Sequence, residues 1–294
     1  MHRSLNRTLH WAGCLLAIAG VVFVMVRLSS YWSQIDFSRF SVTVWLVVGG
    51  FAVIYGGANL LLTAAWRSLL SALRIKMSWR WVMTVYGISQ LAKYVPGNVF
   101  QFAGRQAMGM AEGMPGWILA KSMMWELCLL CIAGALYGIL ASPLLFHLLP
   151  KWLSLVFFIL VVAVVGELLS IWKSKSVALA FVCYVGFLGI SAGLFVGLVS
   201  IMAQSSPVAV VPTSWVLLGA AFVVAWLVGL MTPGAPAGVG VRELVLLFLL
   251  KGVVIENDLV FAVALGRLVT VAGDLIYFSL AVLIKRLGHV AKLQ

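Results

Sequence analysis

Two short segments hold the residues best suited to chemistry: Lys93-Tyr-Val-Pro-Gly-Asn-Val-Phe-Gln-Phe-Ala-Gly-Arg105 and Thr232-Pro-Gly-Ala-Pro-Ala-Gly-Val-Gly-Val-Arg-Glu243. Each reads Pro-Gly, then Gly, then Arg. Pro ends a run of helical hydrogen bonds and Gly permits the turn that follows. A half-helix restarting after such a break offers free N–H groups and a positive dipole end, which suit a phosphate or carboxylate. Lys93, Arg105 and Arg242 are the cations able to meet that anion. Glu243 either holds Arg242 or titrates. Asn98, Gln101 and Thr232 add uncharged hydrogen-bonding groups, as ligands or as caps of the broken ends.

Two more charges, Glu126 and Arg267, lie in the long apolar runs that follow the breaks. They pair with each other, or with Arg105 and Glu243, as part of a site or as ion pairs that set helix register. Asp274 shares a helical face with Arg267, seven residues before it. A charge at the centre of a bilayer costs roughly 2.5–3.5 kcal/mol on insertion scales, so such residues face a cavity or a partner. Lys121 and Arg80 are read as snorkelling to head groups.

The surroundings of these residues are membrane. The 294-residue chain is 64% hydrophobic and 10% charged, against about 45–50% and about 25% for soluble domains. Six runs are long enough to cross a bilayer, at about 9–28, 42–66, 116–140, 152–172, 176–203 and 256–284. The run from Trp11 to Val26 lacks a small-x-small cleavage site and is read as a retained helix. Two further apolar regions, 79–111 and 213–252, are broken in the middle by Pro and Gly. They are re-entrant helix–break–helix hairpins or, alternatively, pairs of short spans.

The net charge of +12 reflects basic residues in short connections, which argues for membrane orientation and anionic lipid and against nucleic acid. Arg3, Arg7, Arg67, Arg74, Lys76, Arg80, Lys173, Lys175, Lys285, Arg286 and Lys292 fall on one side if both termini are cytoplasmic. Arg27, Lys151 and Lys251 count against that orientation. Trp and Tyr near run ends serve as interfacial anchors.

The order long helix, broken region, long helix occurs at 42–140 and again at 176–284, in opposite orientations by the charge argument. The expected fold is therefore an all-α polytopic membrane protein of one domain. It has six full transmembrane helices and two broken hairpins, arranged as an inverted repeat. Matched interruptions in inverted halves point to a transporter's binding site. Irregular backbone at membrane depth must be buried in protein or face a wet cavity.

No Walker loop, zinc-protease helix or nucleophile elbow is present in the sequence. Four scattered His and four Cys, including Cys128-x-x-Cys131, form no metal or redox pattern. No catalytic residue, cofactor or metal is expected.

Tyr94-Val-Pro-Gly97, the stretch from Pro233 to Glu243, Glu126 in the helix between them, and Arg267-Leu268 resemble the lysylphosphatidylglycerol synthase transmembrane region family of flippase-like proteins. The resemblance covers most of the chain. It implies translocation of an anionic phospholipid or a polyprenyl-phosphate-linked sugar in a bacterial cytoplasmic membrane, with Arg105, Arg242 and Glu243 near the head-group path. The second break reads Pro-Gly-Ala-Pro-Ala-Gly, where the family more often has Pro-Gly-Gly. The chain ends at Gln294 without the family's soluble aminoacyl-transferase domain, so it is not expected to make aminoacyl lipid. Two rival readings use the same residues differently: a secondary transporter of a small anionic solute, and a non-transporting partner of a lipid or glycan synthase. A homo-oligomer is compatible with each.

Overall fold

The computed structural model describes residues 41–95, 100–145, 151–204, 215–232, 238, 240–251, 253–254 and 256–290. The expected helix at 9–28, both Pro-Gly pairs, Asn98 and the uncharged stretch 205–212 lie outside these residues. The described chain folds into α1 (Val42–Ala72), α2 (Trp79–Gln90), a 3-10 turn (Leu91–Tyr94), α3 (Phe100–Ala111), α4 (Gly116–Leu145), α5 (Lys151–Trp172), α6 (Lys175–Gln204), α7 (Trp215–Met231), α8 (Val241–Leu249) and α9 (Glu256–Val290). Among the described residues there is no strand beyond an isolated bridge between Lys251 and Val254.

Five helices (α1, α4, α5, α6 and α9) are long and apolar enough to cross a bilayer. They are the five uninterrupted runs expected from the sequence among the described residues, and the chain is a helical membrane protein. The helices outlast the apolar runs that announced them: α1 continues past 66 to Ala72 and carries Arg67 on its last turns. At a rise of about 1.5 Å per residue, its 31 residues exceed the roughly 30 Å hydrocarbon core.

Local sequence explains where the helices stop. Arg74 adopts φ 63, and Ile75 N–H reaches back to the Leu70 carbonyl at 2.9 Å, closing α1. At the end of α3, Gly113 adopts φ 84 and Met114 N–H bonds to the Gly109 carbonyl at 3.1 Å. This six-to-one bond with a left-handed residue is how helices commonly end. Ser78 caps α2 by accepting from Trp81 N–H at 3.3 Å, and Ser174 caps α6 by accepting from Val177 N–H at 3.3 Å.

Packing relies on small residues that let backbones approach, as is usual between helices in lipid. A Cβ on Gly273 of α9 would lie 2.7 Å from the Ala52 carbonyl oxygen of α1, and one on Gly56 would lie 3.0 Å from the Gly273 carbonyl oxygen. Farther along the same two helices, Asn59 meets Asp274 and Thr63 meets Tyr277, so α1 and α9 run in the same direction. Between α1 and α6 the order reverses: Phe51 touches Gly197, and Leu61 touches Gly186. Trp66 of α1 stacks on Trp81 of α2 and donates to Ser122 of α4. The two limbs of each broken region pack on each other, α2 on α3 and α7 on α8. Helix α5 stands apart. It touches α4 and α6, and only 6% of its apolar window is buried.

Candidate functional site

Where the broken regions meet the long helices, a cavity of about 90 Å³ opens inside the bundle. Its polar lining comprises Tyr55, Tyr86, Gln90, Lys93, Tyr94, Gln101, Glu126, Arg242, Arg267 and Thr270, set among Leu, Phe and Trp side chains. Six of the nine expected site residues touch it or support its wall directly: Lys93, Gln101, Glu126, Arg242 and Arg267 line it, and Glu243 holds Arg267. Arg105 lies behind the wall. Thr232 is elsewhere: it lies partly buried at the end of α7, where its hydroxyl donates to the Val228 carbonyl at 2.8 Å. Asn98 falls outside the described residues.

Three ion pairs surround this space. Arg105 of α3 and Glu126 of α4 meet at 2.6 Å, with 1% and 2% of their side chains exposed. The Arg105 guanidinium is further enclosed by aromatic rings, with centroids at 4.4 Å for Tyr86, 5.0 Å for Phe102 and 5.5 Å for Trp66. The other Glu126 oxygen accepts from the Tyr86 hydroxyl at 3.1 Å. A guanidinium so placed has its charge met on the edge by carboxylate and on its faces by ring quadrupoles.

The second pair joins α8 to α9. Arg267 Nε and a terminal nitrogen donate to one Glu243 oxygen at 2.9 and 2.7 Å. The other Glu243 oxygen accepts from Gly240 N–H at 2.6 Å. Glu243 is thus the third residue of α8 and reaches back to cap its start, the carboxylate half of a capping box. The sequence left two partners open for Glu126 and Arg267. The structure gives each its neighbour on the preceding short helix, and they do not bond to each other. It also gives Glu243 to Arg267, where the sequence had offered it to Arg242.

The third pair links Lys93, at the end of the 3-10 turn, to Asp274 of α9 at 2.7 Å. Asp274 is fully buried and also accepts from Tyr94 at 2.5 Å and Asn59 at 3.2 Å. Gln90 donates to Asn59 in turn, at 3.4 Å. The sequence linked Asp274 only to the helical face of Arg267 and gave Asn59 and Gln90 no role; their signal was that of polar side chains stranded in apolar runs.

Arg242 differs from the other cations. It is the second residue of α8, 8% exposed, and its guanidinium carbon sits 4.2 Å from the centroid of the Phe222 ring. Among the described residues it has no carboxylate partner. No family model and no curated protein matches the chain. Among the described residues no group of three His, Cys, Asp or Glu side chains is placed to hold a metal ion.

Proposed function

We propose that the chain moves an anionic lipid, or a lipid-linked sugar, between the leaflets of a membrane, with the head-group phosphate meeting Arg242 in the central cavity. One observation carries this reading: Arg242 is a buried cation aimed into a polar cavity, with no carboxylate beside it among the described residues. A charge taken out of water without a counter-charge is strongly unfavourable. A permanently charged guanidinium in that position is balanced when an anion arrives.

The arrangement of helices supports transport. Helices α3 and α8, of 12 and 9 residues, reach only about 18 and 14 Å at the helical rise, too short to cross the hydrocarbon core. In our reading each broken region therefore enters and leaves on one side. The first does so where α1 ends and α4 begins. The second does so where α6 ends and α9 begins. Because α6 runs against α1, and α9 runs with it, these are opposite faces. The packing follows the same exchange: if α1, α2, α3 and α4 are swapped with α6, α7, α8 and α9, each contact among these eight helices maps onto a contact that is also made. That is the pattern of two inverted halves built around a shared site. The sequence resemblance to flippase-like membrane regions points the same way, and a bacterial cytoplasmic membrane with both termini inside fits the basic residues.

The test is lipid exchange in proteoliposomes. Purified chain should speed movement of fluorescent anionic lipids between leaflets, and Arg242→Ala should abolish the acceleration. If wild type accelerates no lipid and Arg242→Ala has no effect in cells, the proposal fails. A small anionic solute is the second reading. It is favoured by the cavity of about 90 Å³, well below the roughly 300–1,000 Å³ of ordinary ligand pockets. Uptake of a soluble anion driven by a pH gradient would select it.

A further inference from the structure

Charge around the cavity limits which anion it takes. This step rests on the functional reading above. Four cations and three carboxylates surround the space: Lys93 is matched by Asp274, Arg105 by Glu126 and Arg267 by Glu243, and Arg242 remains. The ionisable groups whose charges bear on Arg242 include Arg267, Tyr55, Glu243, Tyr94 and Lys93; Glu126 faces the same cavity from the other wall. The tyrosines are neutral at ordinary pH, with unperturbed values of about 10. Among the described residues the site therefore offers one uncompensated positive charge.

We infer that the ligand group is a lipid-borne phosphodiester, which carries one negative charge, and that phosphomonoesters and diphosphates are rejected. A diester neutralises Arg242 and leaves nothing over. A dianion leaves a second negative charge with no cation to match it, in a space whose other polar groups are neutral hydroxyls and amides or already paired ions. That residual charge is as unfavourable as the unmatched guanidinium was. The other three cations cannot relieve it, because each is already matched by its own carboxylate.

A phosphomonoester provides an internal control, because its second ionisation lies at about pH 6. Phosphatidic acid is mostly dianionic at pH 8 and mostly monoanionic at pH 5. The experiment is lipid competition on the purified full chain, read as bound species by native mass spectrometry. Phosphatidylglycerol, phosphatidic acid, a polyprenyl-phosphate mannose and a polyprenyl diphosphate serve as probes at both pH values. At pH 8 one of the two diesters should outcompete phosphatidic acid and the diphosphate by about tenfold or more, a difference of about 1.4 kcal/mol. Which diester wins identifies the lipid as a glycerolipid or a polyprenyl carrier. At pH 5 phosphatidic acid should recover most of that deficit. Glu243→Gln removes one carboxylate charge and should shift the preference toward the dianions; Arg242→Gln should erase discrimination by charge.

Equal binding of all four probes, lost in Arg242→Gln, overturns the charge rule and leaves the functional reading standing. Preference for phosphatidic acid at pH 8 also overturns it. Binding of no probe, with Arg242→Gln unchanged from wild type, overturns both.

Discussion

Arg267 directs its Nε and a terminal nitrogen at a single oxygen of Glu243, at 2.9 and 2.7 Å, although Glu243 is the immediate chain neighbour of Arg242. On a helix, successive side chains point about 100° apart, so residues 242 and 243 face different ways. Glu243 turns toward α9 and back to the Gly240 amide; Arg242 turns toward Phe222 and the cavity. This division leaves one cation uncompensated.

Replacing Arg242 should therefore affect transport far more than folding. Charge-assisted hydrogen bonds contribute about 1.5–3 kcal/mol each, so Arg242→Gln should slow lipid exchange about 10- to 100-fold in proteoliposomes. Its thermal unfolding midpoint should match or exceed wild type, because an unmatched buried charge has been removed. A variant that exchanges lipid at the wild-type rate would refute the assignment.

The Arg105–Glu126 pair should behave in the opposite way. Arg105→Gln leaves the Glu126 carboxyl buried and without its cation, which costs about 3–5 kcal/mol. The double variant Arg105→Gln, Glu126→Gln should recover a large part of that loss. Unfolding in detergent measures both. A single variant as stable as wild type would contradict the enclosure seen in the structure.

The crossing of α1 and α9 gives a test of packing alone. Gly273→Ala should destabilise the bundle by about 1–3 kcal/mol, the usual cost of forcing extra volume into a packed core, because its Cβ would meet the Ala52 carbonyl at 2.7 Å. Gly57→Ala, on the exposed side of α1 with nothing within 4 Å of its Cβ, should be neutral or slightly stabilising, since Ala is the better helix former. Thermal midpoints of the two variants should separate clearly.

The proposed opposed orientation of the two broken regions can be tested by labelling. In a background with the native cysteines replaced by Ala, Lys76→Cys and Lys285→Cys should react with a membrane-impermeant maleimide from one face only. Lys251→Cys should react from the other face. Labelling of all three from the same face would exclude the inverted arrangement.

The fold was more legible in the sequence than the site was. Uninterrupted apolar runs announced α1, α4, α5, α6 and α9, because lipid demands about 20 apolar residues per crossing and little else. Pro and Gly marked where the short helices divide. The partners of the charges were not legible, because pairing depends on which helices touch. Glu126 and Arg267 look alike on paper as lone charges in long helices; each found its partner on the short helix before it. Asp274 was undervalued for the same reason. Nothing near it in sequence reveals that Asn59 reaches it from α1 and that Lys93 and Tyr94 reach it from the middle of the first broken region.

The solitary position of α5 has a consequence for how such a protein arises. In the inverted arrangement, four helices of one half include two that cross and two that turn back, so a half begins and ends on the same face. A second copy joined directly would start from that face and repeat the first half's direction. One added crossing changes the parity of the count and turns the copy over. In that proposed arrangement helix α5, of whose apolar window only 6% is buried, would supply that crossing. Its sequence is then free to drift among apolar residues, provided that it still spans.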